Sequence, residues 1–178
     1  MTAEPIRETR IEADPQIPTI RIVRDFAAPR AAVYRAWTDP DLVAQWLGPK
    51  SLHMKIDTWD ARTGGSYRYR AIREGQEIAA FYGSFHELRP DRRLVQTFTF
   101  EGVPDGVSLD TVTFEDLDAP GGPDDSGGGG TRVTIFSVVH SLATRDMILA
   151  SGMDQGVVEG YERLDALLPT LGAPVTGR

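Results

Sequence analysis

The chain contains no cysteine, and this absence excludes several classes of site at once. Without thiols there can be no disulfide, no cysteine nucleophile and no cysteine-ligated metal. Asparagine is absent as well, so the chain has no N-glycosylation acceptor. Histidine occurs only at His53, His86 and His140, and no two of these are close enough in sequence to indicate a shared metal ion. We therefore expect no metal site and no cofactor.

Lysine is nearly absent too, since Lys50 and Lys55 are the only two lysines and arginine supplies the other cations. The net charge is −7, and an acidic surface repels nucleic-acid phosphates and anionic lipid headgroups. No apolar run approaches the roughly 18 residues of a membrane span, and the N-terminus has no apolar leader. These features predict a cytoplasmic protein that binds neither nucleic acid nor membrane.

The 178 residues, 40% of them hydrophobic, suit a single domain with a real core. We expect a flexible tail over 1–18, one domain over 19–168 and a second tail over 169–178. Residues 118–131 are rich in glycine, proline and aspartate and have almost nothing to bury. They predict a disordered hairpin loop inside the domain.

The segment WTDPDLVAQWLGP, at 37–49, holds two of the three tryptophans among several helix breakers. Asp39 suits an N-cap and Pro40 the first helical position, so the segment predicts a new helix that ends at Gly48. Another short helix is expected before it, over 29–38. Helices this short are unstable alone, and we expect the two tryptophans to anchor them by packing.

Period-two alternation of apolar residues predicts strands on both sides of these helices. One precedes them at 19–26, and the others are expected at 51–59, 66–72, 77–88, 94–101, 109–116 and 132–140. The segment 143–168 has its apolar residues on one side of a helical wheel and predicts one long helix ending before Pro169. Consecutive strands followed by a helix indicate an α+β domain with an antiparallel sheet.

Glycines within the predicted long helix allow two interpretations. Gly156 and Gly160 fall inside its apolar arc, although each costs about 1 kcal/mol against alanine in a helix interior. Close packing of the helix on its neighbours is one explanation. The other is that the helix leaves room for a bound molecule between itself and the sheet.

The sequence resembles the START/Bet v-like (SRPBCC) superfamily, and within it the bacterial homologues of the activator of heat-shock-protein-90 ATPase. The resemblance implies a helix-grip fold, in which a curved antiparallel sheet of about six to seven strands wraps a long C-terminal helix and encloses a cavity. Members of the superfamily mostly bind small molecules or lipids, and some are cyclases or partner-binding domains. Four segments carry the resemblance: FAAPRAAVYRAWTDPDLVAQWLGP (26–49), DARTGG (60–65), YGSFHELRPDRRLVQTF (82–98) and GMDQGVVEGYERLDALL (152–168).

A cavity of this kind would be lined by strand residues of one parity and by the inner side of the helix. The strands carry an unusual number of aromatic residues at such positions. We expect a small hydrophobic or lipid-like ligand to contact the following residues: Trp46, Trp59, Tyr67, Tyr69, Phe81, Phe85, Phe98, Phe100, His140, Met153, Gly156, Val157, Gly160 and Tyr161.

Three functions stay open, and non-catalytic binding of a hydrophobic ligand is favoured because no nucleophile elbow or phosphate loop is present. An enzyme of the cyclase, dehydratase or hydrolase type would need an acid or base in the cavity, and His140, Tyr82 and Asp110 are the candidates. A co-chaperone or stress-response module would instead bind a protein partner, and a homodimer fits any of the three. An outward arginine stripe at 68–73 is the surface that such an acidic partner would use.

Overall fold

The structure, a computed structural model, describes residues 8–117 and 129–171. Within these ranges the chain forms eight strands and four helices. In chain order they are β1 (Arg10–Ala13), β2 (Thr19–Phe26), α1 (Arg30–Thr38), α2 (Pro40–Trp46), β3 (His53–Trp59), β4 (Ser66–Arg73), β5 (Gln76–Arg89), β6 (Arg93–Phe100), β7 (Ser108–Asp116), β8 (Thr131–Val139), α3 (Leu142–Ala150) and α4 (Met153–Leu171).

The eight strands make one antiparallel sheet in the order β1-β2-β8-β7-β6-β5-β4-β3. β1 and β3 form its two edges, so the sheet is not closed into a barrel. The pairing register shifts at Asp57, at Ile78 and at His86, and such bulges bend the strands that carry them. The predicted α+β class and the curved sheet with a C-terminal helix are confirmed, although eight strands are found where six to seven were expected.

The two short helices are joined through their tryptophans, as the sequence predicts. Asp39 accepts a hydrogen bond from the Asp41 backbone N–H and so caps α2. The Trp46 indole Nε1 donates to the Ala36 carbonyl oxygen at 2.8 Å, and the rings of Trp37 and Trp46 lie 4.5 Å apart between centroids. Helices of nine and seven residues are too short to be stable alone, and the contact between the two large rings stabilises them.

The prediction of one long helix over 143–168 is wrong, because two helices occupy that segment. Gly152 adopts a φ of +81°, which glycine accepts readily and which breaks the helix between α3 and α4. The C-terminal end also differs, since α4 continues through Pro169 to Leu171. Proline removes only its own N–H donor in the last turn, so the helix need not stop before it.

The boundaries of the domain differ from the expected tails and loop. Residues 10–13, placed in the N-terminal tail by the sequence, form β1 and pair with β2, where Ile11 is opposite Ile22. A four-residue edge strand with one partly buried side chain, Ile11, gives too short an alternation to recognise. The expected loop over 118–131 falls mostly outside the described residues, and Thr131 already belongs to β8.

The apolar side chains form two separate clusters on the face of the sheet that carries the helices. The first cluster lies under α1, α2 and α4, and its fully buried members include Phe26, Leu94 and Leu164. The second lies on β3, β4 and β5, around Met54, Tyr67, Tyr69, Ala71 and Phe85. Only a few partly buried side chains, such as Leu47 and Leu88, pack against both clusters within the described ranges. We call this side of the sheet the concave face.

Candidate functional site

The strand register fixes which aromatic residues share the concave face. Phe81 lies opposite Tyr69 on β4 and opposite Phe100 on β6. Directly paired residues point to the same side of a sheet, so these three rings share a face. The rings of Tyr69 and Phe81 stack with centroids 5.1 Å apart, and Phe98 continues the row at 5.4 Å from Phe81.

Gly83 makes room for the neighbouring tyrosine in this aromatic row. A Cβ at Gly83 would lie 2.0 Å from the Thr97 carbonyl oxygen and 2.5 Å from the Tyr67 hydroxyl oxygen. The absence of a side chain therefore lets the Tyr67 hydroxyl cross the strand and donate to the Thr97 carbonyl at 2.7 Å.

A row of polar residues crosses the middle of the concave face. Asp110 on β7 lies opposite Gln96 on β6 and opposite Ser137 on β8. Two positions earlier on the same strand, Ser108 donates its hydroxyl to the Asp110 carboxylate at 3.0 Å. We call Gln96, Ser108, Asp110 and Ser137 the polar row.

The two ends of the concave face differ in how well the helices cover them. At one end Leu94, Val112 and Val133 are at most 2% exposed beneath the helices. At the other end several inward-facing residues, such as Phe81, Phe98 and Ser137, are only half-buried. Solvent therefore reaches part of the concave face at that end. This concave-face opening is bordered on the sheet by Phe81, Phe98, Gln96, Asp110, Ile135 and Ser137, and on the helices by Leu149, Met153 and Val157.

Electrostatics single out Asp110 among the residues of the opening. Burial raises the pKa of the Asp110 carboxyl above its ordinary value, and hydrogen bonds from Ser137 and Ser108 offset part of that rise. Burial also raises the pKa of Tyr69, and the nearby Asp110 carboxylate adds to the effect. Among the described residues, no arginine, lysine or histidine forms a salt bridge with Asp110.

Several residues expected at the ligand site lie elsewhere. Trp46 and Tyr161 are core residues, 5% and 3% exposed, that pack against each other. Gly156 faces Pro49, and a Cβ at Gly160 would lie 2.9 Å from the Trp46 carbonyl oxygen. Gly160 thus lets α4 pack closely on α2, which is the first of the two interpretations, whereas Gly156 makes only an ordinary contact with Pro49.

The remaining expected residues sit at the margins of the site. Trp59 donates its indole Nε1 to the Thr38 carbonyl at 3.1 Å and contacts Phe85, so it ties β3 to the end of α1. Phe100 is 37% exposed at the rim of the sheet. His140 is exposed after β8, where its ring lies 3.1 Å from the Thr144 hydroxyl.

Of the three acid or base candidates, only Asp110 lies on the concave face. Tyr82 is 41% exposed and alternates with inward-facing Phe81, so it points outward. Gln96, Ser108 and Ser137 were missed by sequence reasoning as site residues. The sequence signal for Gln96 and Ser137 is a polar residue in a strand whose neighbours two positions away, which share its face of the sheet, are apolar.

The arginine stripe on the opposite, convex face is occupied by carboxylates. Arg70 binds Asp57 at 2.8 Å, and Arg68 binds Asp57 as well as Glu101. This ion-pair network spans β3, β4 and the end of β6. It leaves these two guanidinium groups less available to an acidic partner than the sequence suggests.

Two open surface depressions lie at the β3 edge and not at the polar row. One, of about 450 Å³, lies between α2 and β3 and is lined by residues such as Ala44, Ile56 and Trp59. The other, of about 550 Å³, is lined by residues that include Lys50, Ile72 and Arg163.

Over 8–117 and 129–171, no group of three or more histidine, aspartate or glutamate residues is placed to hold a metal ion. In the same ranges no helix is long and apolar enough to cross a membrane.

The comparison with protein families is decisive for the kind of protein. The family described as activator of Hsp90 ATPase homolog 1-like protein matches residues 27–169. The chain belongs to this family. The match spans both short helices, the polar row and most of α4, so the residues that border the concave-face opening lie inside the matched region.

Solved structures agree with this assignment. A protein from Chromobacterium violaceum is 31% identical, with a TM-score of 0.67 over 85% of this chain and 96% of its own. A protein from Mycobacterium smegmatis is 25% identical, with a TM-score of 0.75 over 91% and 98% of the two chains. A protein from Rhodobacter sphaeroides, 23% identical with a TM-score of 0.76 over 92% and 99%, shows the same fold. No curated protein matches this chain.

Proposed function

We propose that this protein binds a small, largely apolar molecule in the concave-face opening. The observation that carries the proposal is the half-burial of inward-facing side chains on both walls of the opening. Phe81 and Phe98 on the sheet and Met153 and Val157 on α4 would all be buried if the sheet and helix simply packed together. Membership of a family that typically has a ligand-binding cavity supports the same conclusion.

The composition of the opening suits a ligand site better than a protein core. Its walls are aromatic and aliphatic, and a few polar groups converge at one place, the polar row. Small-molecule sites usually combine apolar walls for affinity with a few polar groups for orientation. A bound apolar molecule would also close the gap between the two hydrophobic clusters, since few side chains bridge them.

Catalysis is a second candidate, and one observation favours it. Asp110 is a carboxyl group with a raised pKa inside the opening, which is the condition that an acid–base enzyme of the cyclase or dehydratase type requires. Turnover of a hydrophobic substrate that is lost in Asp110→Asn, while the variant still binds that substrate, would favour this function over simple binding.

Ligand binding is tested with the neutral fluorescent dye Nile red and a substitution that fills the opening. We expect the wild-type protein to bind the dye and Ser137→Phe to weaken binding at least tenfold, because the new ring occupies the space beside Asp110. Val138→Phe is the matched control, since Val138 follows on the same strand and is 39% exposed on the convex face. Equal dye binding by the three proteins would overturn the location, and no binding by the wild type would overturn the proposal.

Thermal unfolding of each variant accompanies the titration. A Ser137→Phe protein that unfolds at the wild-type temperature yet loses the dye supports the site directly. If that variant does not fold, Ser137→Leu provides a smaller obstruction, and the expected loss of dye binding is correspondingly smaller.

A further inference from the structure

We propose that the ligand carries an ammonium group on an apolar scaffold, and that the Asp110 carboxylate binds this group. The inference rests on the proposed ligand site and specifies its chemistry. Asp110 is the acidic residue at the centre of the polar row, between Gln96 on one neighbouring strand and Ser137 on the other. The aromatic row of Tyr69, Phe81 and Phe98 lies on the same face.

The hydrogen bonds around Asp110 orient its carboxylate and stabilise the ionised form against the burial that raises its pKa. Ser108 donates to one carboxylate oxygen at 3.0 Å, and Ser137 lies directly opposite on β8 with its own hydroxyl. Hydroxyl donors stabilise the ionised form without neutralising its charge. The site therefore offers an oriented acceptor to a cationic group, and binding of that cation would favour the ionised form of Asp110.

The protein supplies no such cation within the described ranges. Arg24 alternates with Ile22 and Phe26 on β2 and so lies on the concave face. It forms a salt bridge with Asp165 on α4 and donates a hydrogen bond to the Thr9 hydroxyl. Arg132, on the strand that carries Ser137, pairs with Asp25 at 2.8 Å. A partly buried carboxylate without a counter-ion loses hydration, and a ligand cation would offset that loss on binding.

The surroundings of the polar row suit a cation on an apolar body. Tyr69, Phe81 and Phe98 stack on one another along the same face and can bury the hydrocarbon part of such a ligand. The chain has a net charge of −7, so its overall field favours the approach of cations and disfavours anions. A fatty acid or another organic anion would bring its carboxylate against Asp110, and we expect it to be excluded.

The test compares two probes that differ only in their polar group: 4-phenylbutylamine, which is a cation at pH 7, and 4-phenylbutan-1-ol, which is neutral. Each probe displaces Nile red from the protein, which gives its affinity. We expect wild-type protein to bind the amine about tenfold more tightly than the alcohol, in line with one charge-assisted hydrogen bond. Asp110→Asn should abolish this preference and leave the affinity for the alcohol within about twofold.

Matched variants separate the charge at the site from the charge of the surface. Asp105→Asn removes one negative charge from the exposed turn between β6 and β7 and should keep the preference for the amine. A loss of preference in Asp105→Asn as large as in Asp110→Asn would overturn the inference.

The outcomes also separate this inference from the proposed function. If wild-type protein binds amine and alcohol equally well, or prefers the alcohol, the ammonium ligand is wrong while the apolar site stands. The comparison of amine and alcohol uses only wild-type protein, so it tests the inference even if Asp110→Asn does not fold. If neither probe nor the dye binds, both the inference and the proposed ligand site are wrong.

Discussion

At the scale of single residues, Asp110 is the strongest departure from ordinary core composition. A carboxylate in partly apolar surroundings loses hydration, and the serine hydroxyls replace only part of it. Sequence reasoning found Asp110 only as one of three candidate acids or bases. Its position on the concave face could not be assigned because a one-residue slip in register turns every side chain of a strand over.

The raised pKa of Asp110 predicts a pH-dependent stability difference. The unfolded chain titrates at the ordinary aspartate pKa of about 3.9, and the folded chain titrates above it. Protonation therefore stabilises the fold, fully below the ordinary pKa, and this stabilisation is lost as the pH rises through the folded value. At pH 7 we expect Asp110→Asn to have the higher free energy of unfolding, by about 1.4 kcal/mol for each pH unit that separates the folded pKa from the ordinary one.

Urea unfolding of wild-type and Asp110→Asn protein at pH 7 and at about pH 3.5 checks this prediction, with 3.5 chosen just below the ordinary aspartate pKa. The advantage of the variant should shrink or vanish at the lower pH. The exposed Asp105→Asn variant serves as control and should show no comparable change. A difference between wild type and Asp110→Asn that is the same at both pH values would contradict the raised pKa.

At the scale of elements, the sequence predicts most of the secondary structure because each signal is local. Asp39, Pro40 and Gly48 bound the second short helix, and alternation locates every strand from β2 to β8 to within two residues. The break at Gly152 was missed because its cause is a backbone φ, which the periodicity of the side chains does not report. β1 was missed because its four residues gain stability only by pairing with β2.

Packing of α4 against α2 predicts opposite effects for two neighbouring glycines. A Cβ at Gly156 meets the Pro49 Cδ at 3.5 Å, an ordinary contact, so Gly156→Ala should stabilise the protein by up to about 1 kcal/mol through helix propensity. A Cβ at Gly160 lies 2.9 Å from a backbone oxygen that cannot easily move, so Gly160→Ala should destabilise by about 1–3 kcal/mol.

Thermal unfolding of the two variants side by side measures this contrast, and each serves as the control for the other. Equal stabilisation by both alanines would mean that α4 stands away from α2. In that case the second interpretation of these glycines, room for a bound molecule, would be restored.

At the scale of the whole molecule, the fold could be assigned from the sequence, whereas the site could be assigned only in part. The aromatic residues of β4, β5 and β6 were expected on the concave face, and the register places Tyr69, Phe81 and Phe98 there. The polar row was not foreseen, because Gln96, Asp110 and Ser137 are far apart in the chain and become neighbours only through sheet pairing. Residues that become neighbours only through sheet pairing leave no local pattern in the sequence.

The expected protein partner or homodimer stays a prediction. The convex face of β7 and β8 exposes apolar side chains at Leu109, Phe136 and Val138, which are 47%, 40% and 39% exposed. Large exposed apolar residues on neighbouring strands are typical of interaction surfaces. These residues lie on the side of the sheet opposite the concave-face opening. Ligand binding and association with another chain would therefore not compete for the same residues.

The most direct test of ligand binding is native mass spectrometry of the protein purified gently from its own cells, compared with its denatured mass. We predict a bound molecule of small mass that is lost on denaturation and is much reduced in Ser137→Phe but retained in Val138→Phe. A spectrum that shows only the mass of the chain itself, for the wild-type protein as for both variants, would contradict a ligand in the concave-face opening.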